Sequence, residues 1–150
     1  MYQHPPLPPG GSVFQHGIAS SFDAFAFCDG TVKKGRGAFG FVLLDDHGVE
    51  ASTGWSPLTE STNDSTTAEF FGLVETLRQA VQTGVKRLWV GTDSYQVVEH
   101  LNKRSSRYQR FIELVEQLVR SFDFLELQAI ERSCNKRADA LARQGVAFVR

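Results

Sequence analysis

The stretch FDAFAFCDG, residues 22–30, alternates without exception. Phe22, Ala24, Ala26 and Cys28 point one way, and Asp23, Phe25, Phe27 and Asp29 the other. This is a strand with Phe on both faces available for burial. Asp29-Gly30 reads as its end and VKKGRG as a turn. AFGFVLLDD then reads as a second strand, DDHG as a hairpin turn and VEASTGW as a third strand. The opening of the fold is an antiparallel meander.

The hydrophobic period then changes. After the polar loop SPLTESTNDSTT, Phe70, Leu73, Val74, Leu77 and Val81 recur at helical spacing. Ser65, Thr66 or Thr67 is the expected cap and Gly84 the expected stop. VKRLWVGTD returns to strand character, and a strand that follows a helix after a meander implies a crossover into parallel pairing. SYQVVEHLNK reads as a short helix. RYQRFIELVEQLVRSF reads as a longer one with Phe111, Leu114, Val115, Leu118 and Phe122 on one face. FDFLELQAI is a fifth strand, and NKRADALARQG, residues 135–145, a closing helix with Gly145 as its stop. The class is α/β: a mixed sheet with helices packed on it. Residues 1–20, which contain HPPLPPGG, read as a Pro-rich N-terminal tail that docks without defining the fold; residues 21–150 read as the domain.

A net charge of −1 gives no global basic field to hold a polyanion. Basic residues nevertheless cluster: Lys33, Lys34 and Arg36; Lys103, Arg104, Arg107 and Arg110; Arg132, Lys136, Arg137 and Arg143. Two cysteines, Cys28 and Cys134, make neither a disulfide framework nor a zinc site. No apolar run approaches the ~20 residues of a membrane span, and the first residues lack the pattern of a secretory signal. A cytoplasmic protein is the expectation.

Four acids stand at element ends. Asp29 closes the first strand, Glu69 lies in the first turn of the first helix, Asp93 closes the fourth strand and Asp139 sits on the last helix. Singly each is unremarkable: an acid in a first helical turn suits the macrodipole, and Asp-Gly is a common turn pair. Together they suggest more. Parallel strands deliver their carboxyl ends to the crevice where ligands bind, so Asp29 and Asp93 become neighbours if their strands pair in parallel. Carboxylates that close repel one another, and a hard divalent cation removes the cost. Oxygen-only ligands select Mg²⁺ or Mn²⁺, and two such ions about 4 Å apart suit phosphoryl transfer.

Four blocks, FAFCDGTVKKGRGAFGFVLLDDHG, STTAEFFGLVETLRQA, LWVGTDSYQVVEHL and NKRADALARQG, resemble those of type 1 ribonuclease H over residues 22–147, most of all its reverse-transcriptase-like or plant-type branch. The resemblance implies the ribonuclease H-like fold, five strands with the fourth and fifth parallel to the first and helices on both faces. It implies a quartet of metal-ligating, catalytic carboxylates: Asp29, Glu69, Asp93 and Asp139. It implies two Mg²⁺ ions, with Mn²⁺ as a substitute, and an RNA–DNA hybrid whose RNA strand is cut to a 3′-hydroxyl and a 5′-phosphate. A monomer that needs no membrane is the expectation.

Many members carry a His in the loop before the last helix. Here that loop reads LQAIERSCN and has none, so Glu131 or Arg132 is the candidate for proton transfer or product release. The basic helix and loop that some relatives insert before the last block is absent. The implied substrate-binding positions are Gly30, Lys33, Lys34, Ser65, Thr66, Ser94 and Asn135, of which Ser65, Thr66 and Asn135 also suit helix capping. Trp89 reads as core, and Trp55 as core or a base-stacking platform. The alternative function is a ribonuclease H-like binding or interaction module with little turnover, favoured by the missing His and the near-neutral charge. A different nuclease on the same fold, acting on double-stranded RNA or from an end, is a third reading.

Overall fold

The computed structural model describes residues 12–15 and 22–148. The stretch HPPLPPGG lies outside them. Six strands form one sheet: β1 Ser12–Gln15, β2 Ala24–Lys33, β3 Arg36–Asp45, β4 Glu50–Pro57, β5 Arg87–Thr92 and β6 Phe124–Ala129, in the order β1-β6-β5-β2-β3-β4. The helices are α1 Ser65–Gln82, α2 Tyr95–Lys103, α3 Gln109–Val119 and α4 Lys136–Phe148. The five expected strands are all present. β2, β3 and β4 pair antiparallel, and β5 and β6 run parallel to β2. The sixth, β1, is an addition from the expected tail and pairs antiparallel with the edge strand β6.

The alternation read in β2 produces two cores. Ala24, Ala26 and Cys28 face α1, α2 and α3, in a cluster with Phe70, Leu73, Leu101 and Phe111. Phe25 and Phe27 face the other way, with Trp89, Val42, Ile130, Ala138 and Leu141 of the α4 side. Trp89 is core, as its alternation implied, and Trp55 packs partly buried against the same cluster. On α3, Ile112 and Val119 are buried beside Phe111 and Val115, while Leu114 and Leu118 are only partly covered.

Three boundaries differ from the sequence reading. β2 does not end at Asp29-Gly30. Both stay paired with β3, opposite Gly40 and Phe39, and the chain turns only at Lys34-Gly35. What ends near Asp29 is the parallel neighbour: the β2–β5 ladder stops at Cys28↔Thr92. The cap of α1 is Asp64, whose carboxylate accepts from Thr66 N at 3.1 Å, one residue before the Ser and Thr expected there. Gly84 does terminate α1: it takes φ +81°, and Val85 N donates back to Ala80 O at 3.0 Å.

Gly145 does not stop α4; it lies inside the helix. A Cβ there would come 2.6 Å from Ala38 Cβ. The same helix presents Ala138 and Ala142, both fully buried, to Gly40 of β3, where a Cβ would meet Ala142 N at 2.6 Å. The small residues that looked like helix propensity and a stop signal are a packing surface that seats α4 on the sheet.

Candidate metal centre

β2 and β5 are adjacent and parallel, with Cys28 opposite Thr92. The next residue on each is an acid, Asp29 and Asp93. α1 packs its first turn onto β2 so closely that a Cβ on Gly30 would lie 2.3 Å from the Ala68 carbonyl carbon. Gly30 is glycine because the helix needs that approach, and the approach delivers Glu69. One carboxylate oxygen each from Asp29, Glu69 and Asp93 lies within 4.8 Å of the others. A cation with ligand distances of about 2.0–2.6 Å spans about 4–5 Å between opposite oxygens, so the three fit around one ion.

Charge and solvation at the site call for a cation. Asp29 is 5% exposed. Burial, then the charge of Asp93, holds its carboxyl well above the usual carboxylate range. Burial pushes Glu69 up to about 7, against a hydrogen bond with Ser94. Burial also raises Asp93, against hydrogen bonds with Asn135 and Asp29 and the charge of Arg132. Asp93 Oδ2 is buried and accepts no hydrogen bond. A buried carboxylate oxygen without a donor is costly unless a bound group supplies the missing partner. A divalent metal fits this donor set.

Asp139 stands apart from the three. It hydrogen-bonds Asp29 from α4, and its Oδ2 is ion-paired with Arg143 Nη2 at 3.0 Å, one helical turn on. The loop before α4 contributes Arg132, whose Nε lies 4.0 Å from Asp93 Oδ2; Glu131 is exposed. Asn135 does not cap α4 with its side chain. Its Nδ2 reaches across to the Cys28 carbonyl at 2.9 Å and its amide also bonds Asp93, while its backbone oxygen accepts from Asp139 N at 3.0 Å. Nothing in the sequence pointed to that link. The Asp139–Arg143 pair, by contrast, is an i,i+4 spacing visible in the last block.

The remaining candidates have local structural partners. Ser94 is buried, caps α2 by accepting from Val97 N at 3.2 Å, and hydrogen-bonds Glu69. Thr66 is buried and Ser65 exposed in the first turn of α1. Lys33 and Lys34 are exposed at the β2–β3 turn. The second basic cluster is internally neutralised: Lys103 pairs with Glu99, Arg104 with Glu116, Arg107 with Asp64 and Arg110 with Glu60. Asp64 also accepts from Tyr108 Oη at 2.6 Å and Thr67 Oγ1 at 3.0 Å. Burial alone would raise its carboxyl, but these bonds outweigh it and hold it below its ordinary value. Among the described residues, no helix is long and apolar enough to cross a membrane.

The family model described as reverse transcriptase-like matches residues 27–145. A curated relative, "Putative hydrolase EbsB" of Enterococcus faecalis, is 32% identical over 84 residues, 53% of this chain and 62% of that protein. The chain therefore matches less than two thirds of that relative's length. RNase H1 of the archaeon Halobacterium salinarum superposes with a TM-score of 0.77 at 24% identity, over 84% of this chain and 98% of that one. An N-terminal RNase H domain from Mycobacterium tuberculosis gives the same score and identity over 85% and 96%. LC11-RNase H1, solved in complex with an RNA/DNA hybrid, gives 0.73 at 18% identity over 83% and 97%.

Proposed function

The chain belongs to the reverse transcriptase-like family and has the ribonuclease H fold, and we propose that it is a metal-dependent endonuclease cutting the RNA strand of RNA–DNA hybrids. One observation carries the reading: three carboxylates from three elements converge on a point where Asp93 Oδ2 has no donor. The hybrid as substrate is drawn from likeness to LC11-RNase H1, which holds one.

Asp29, Glu69 and Asp93 would hold one Mg²⁺ or Mn²⁺, and Asp29 with Asp139 a second. When bound, such ions favour attack of water on the scissile phosphate and stabilise the departing 3′ oxygen. The chain's own residues set the stage for this. Ser94 orients Glu69, Asn135 orients Asp93, and Gly30 N donates to Asp29 Oδ1 at 2.9 Å. Arg132 is the better placed of the two loop candidates to take the role of the missing His. Its guanidinium is exposed yet beside Asp93, within reach of a phosphate leaving the site. Glu131 has no such contact.

The test is a labelled hybrid incubated with Mg²⁺ or Mn²⁺ and purified protein free of host ribonuclease H, with Asp93→Asn as control. Cleavage of the RNA strand by the native chain alone supports the reading, and an intact hybrid with either metal refutes it. A binding module without turnover is the rival. The Asp139–Arg143 ion pair favours it, since it engages the fourth carboxylate elsewhere. Hybrid binding without cleavage would support that rival.

A further inference from the structure

The core on the α4 side extends past the helix that covers it. On β5 and β6, Leu88, Val90, Leu125 and Leu127 belong to the core under α1, α2 and α3. Alternation turns Trp89, Phe124, Glu126 and Gln128 to the opposite face, with Trp89 beside Glu126 across the parallel ladder. α4 lies on that face too, but it is seated on β2, β3 and β4. Phe25 and Phe27 flank Trp89, at 6.4 and 5.6 Å between ring centres, and Phe22 packs on Phe124 at the start of β6 at 5.3 Å. Trp89 and Gln128 are nevertheless each 0% exposed, and Glu126 is buried as well. Gln128 Nε2 donates to Glu126, whereas Gln128 Oε1 is buried without a donor. A buried amide oxygen in that state is costly unless a group above it supplies an N–H or O–H.

Chain connectivity narrows what lies over β5 and β6. Beyond the described residues the chain has only 1–11, 16–21, 149 and 150. The last two follow α4, whose final turns lie beside Lys33 at the β2–β3 hairpin, past the point where the β2–β5 ladder stops. Residues 16–21 join Gln15, which pairs with Glu126, to Phe22 at the start of β6. Residues 1–11 lead into Ser12, which pairs with Gln128 near the other end of β6.

We propose that residues 1–11, MYQHPPLPPGG, dock in cis across the Trp89–Gln128 face and complete this core, so that the Pro-rich stretch is part of the folded domain and not a tail attached to it. Its composition suits that surface. Pro5, Pro6, Pro8 and Pro9 hold the chain extended before it docks, so little conformational freedom is lost on docking. They carry no N–H, so they are buried without orphaned donors. Extended proline segments pack on aromatic surfaces such as the one Trp89 makes with Phe25 and Phe27. Tyr2 and Leu7 add apolar area, and the segment contains no Lys, Arg, Asp or Glu. Gly10 and Gly11, just before Ser12, carry the N–H groups that the chain brings nearest to Gln128 Oε1.

The experiment is NMR of the full-length protein in a Trp55→Phe background, which leaves Trp89 as the sole indole. NOEs between the Trp89 indole protons and residues 2–9 are expected. Their absence from the spectrum of the folded protein overturns the proposal. NOEs that arise only between labelled and unlabelled copies also overturn it, because the cover would then come from a second copy. Fluorescence supplies an independent readout in the same background. The full-length variant Pro6→Gly, Leu7→Asp, Pro8→Gly should shift Trp89 emission to the red, raise acrylamide quenching several-fold and lower Tm. A segment that merely trails from the domain would alter none of the three, so unchanged emission, quenching and Tm overturn the proposal.

Discussion

Asn135 Nδ2 donates to the Cys28 carbonyl oxygen across 2.9 Å, although 107 residues separate them. That bond ties the start of α4 to the residue before Asp29. The same amide bonds Asp93, and the Asn135 carbonyl receives the Asp139 N–H. A single buried residue, through its side chain and its backbone carbonyl, thus touches the neighbourhoods of three of the four carboxylates.

Asn135→Ala should therefore cost more than a lost cap. It leaves the Cys28 carbonyl and Asp93 without their donor, for a destabilisation of about 1–3 kcal/mol. Denaturant titration gives the stability, and calorimetry with Mn²⁺ should show weaker metal binding. Full stability with full metal affinity would show that the link is dispensable.

Asp29→Asn and Asp93→Asn should abolish hybrid cleavage yet stabilise the metal-free protein by about 1 kcal/mol, because each removes a buried repelling charge. Asp139→Asn should retain more activity than either, since Asp139 lies outside the three-acid cluster and is shared with Arg143. Equal loss in all three variants would contradict this ranking.

The pH dependence of stability follows from the raised carboxyls. Glu69 titrates at about 7 in the fold, and Asp29 is also displaced upward, whereas the unfolded chain loses these protons near pH 4. Between those limits the folded state binds more protons, so stability falls as pH rises. In EDTA, urea midpoints should drop from about pH 5 to pH 8, and millimolar Mg²⁺ should flatten that decline. A metal-free midpoint that rises over this range would contradict the raised values.

Gly145→Ala should destabilise the protein by about 1–3 kcal/mol, through overpacking. The usual helix substitution of Gly by Ala is stabilising by about 1 kcal/mol. Here the new methyl meets Ala38 Cβ at 2.6 Å. A higher Tm for this variant would mean that α4 lifts from the sheet at little cost.

The sequence by itself determined the elements and most of the chemistry. Strict alternation in β2 told which residues face each core, because a strand's side-chain period leaves no freedom once both faces are apolar. The parallel placement of β5 followed from a strand after a helix after a meander, and it makes Asp29 and Asp93 neighbours once β5 pairs with β2. What the sequence misread were residues whose role depends on a distant partner. Gly145 looked like a stop because glycine often is one, but only the packed sheet shows Ala38 beneath it. Asn135 looked like a cap because local spacing cannot reveal a carbonyl 107 residues away. The first two of the three basic clusters were indistinguishable as strings. Tertiary structure decided between them by bringing Glu60, Asp64 and Glu116 to one and leaving Lys33 and Lys34 exposed at the hairpin of the other. Local propensity and period are written in neighbouring residues, whereas charge pairing and close approach are set by which surfaces the fold brings together.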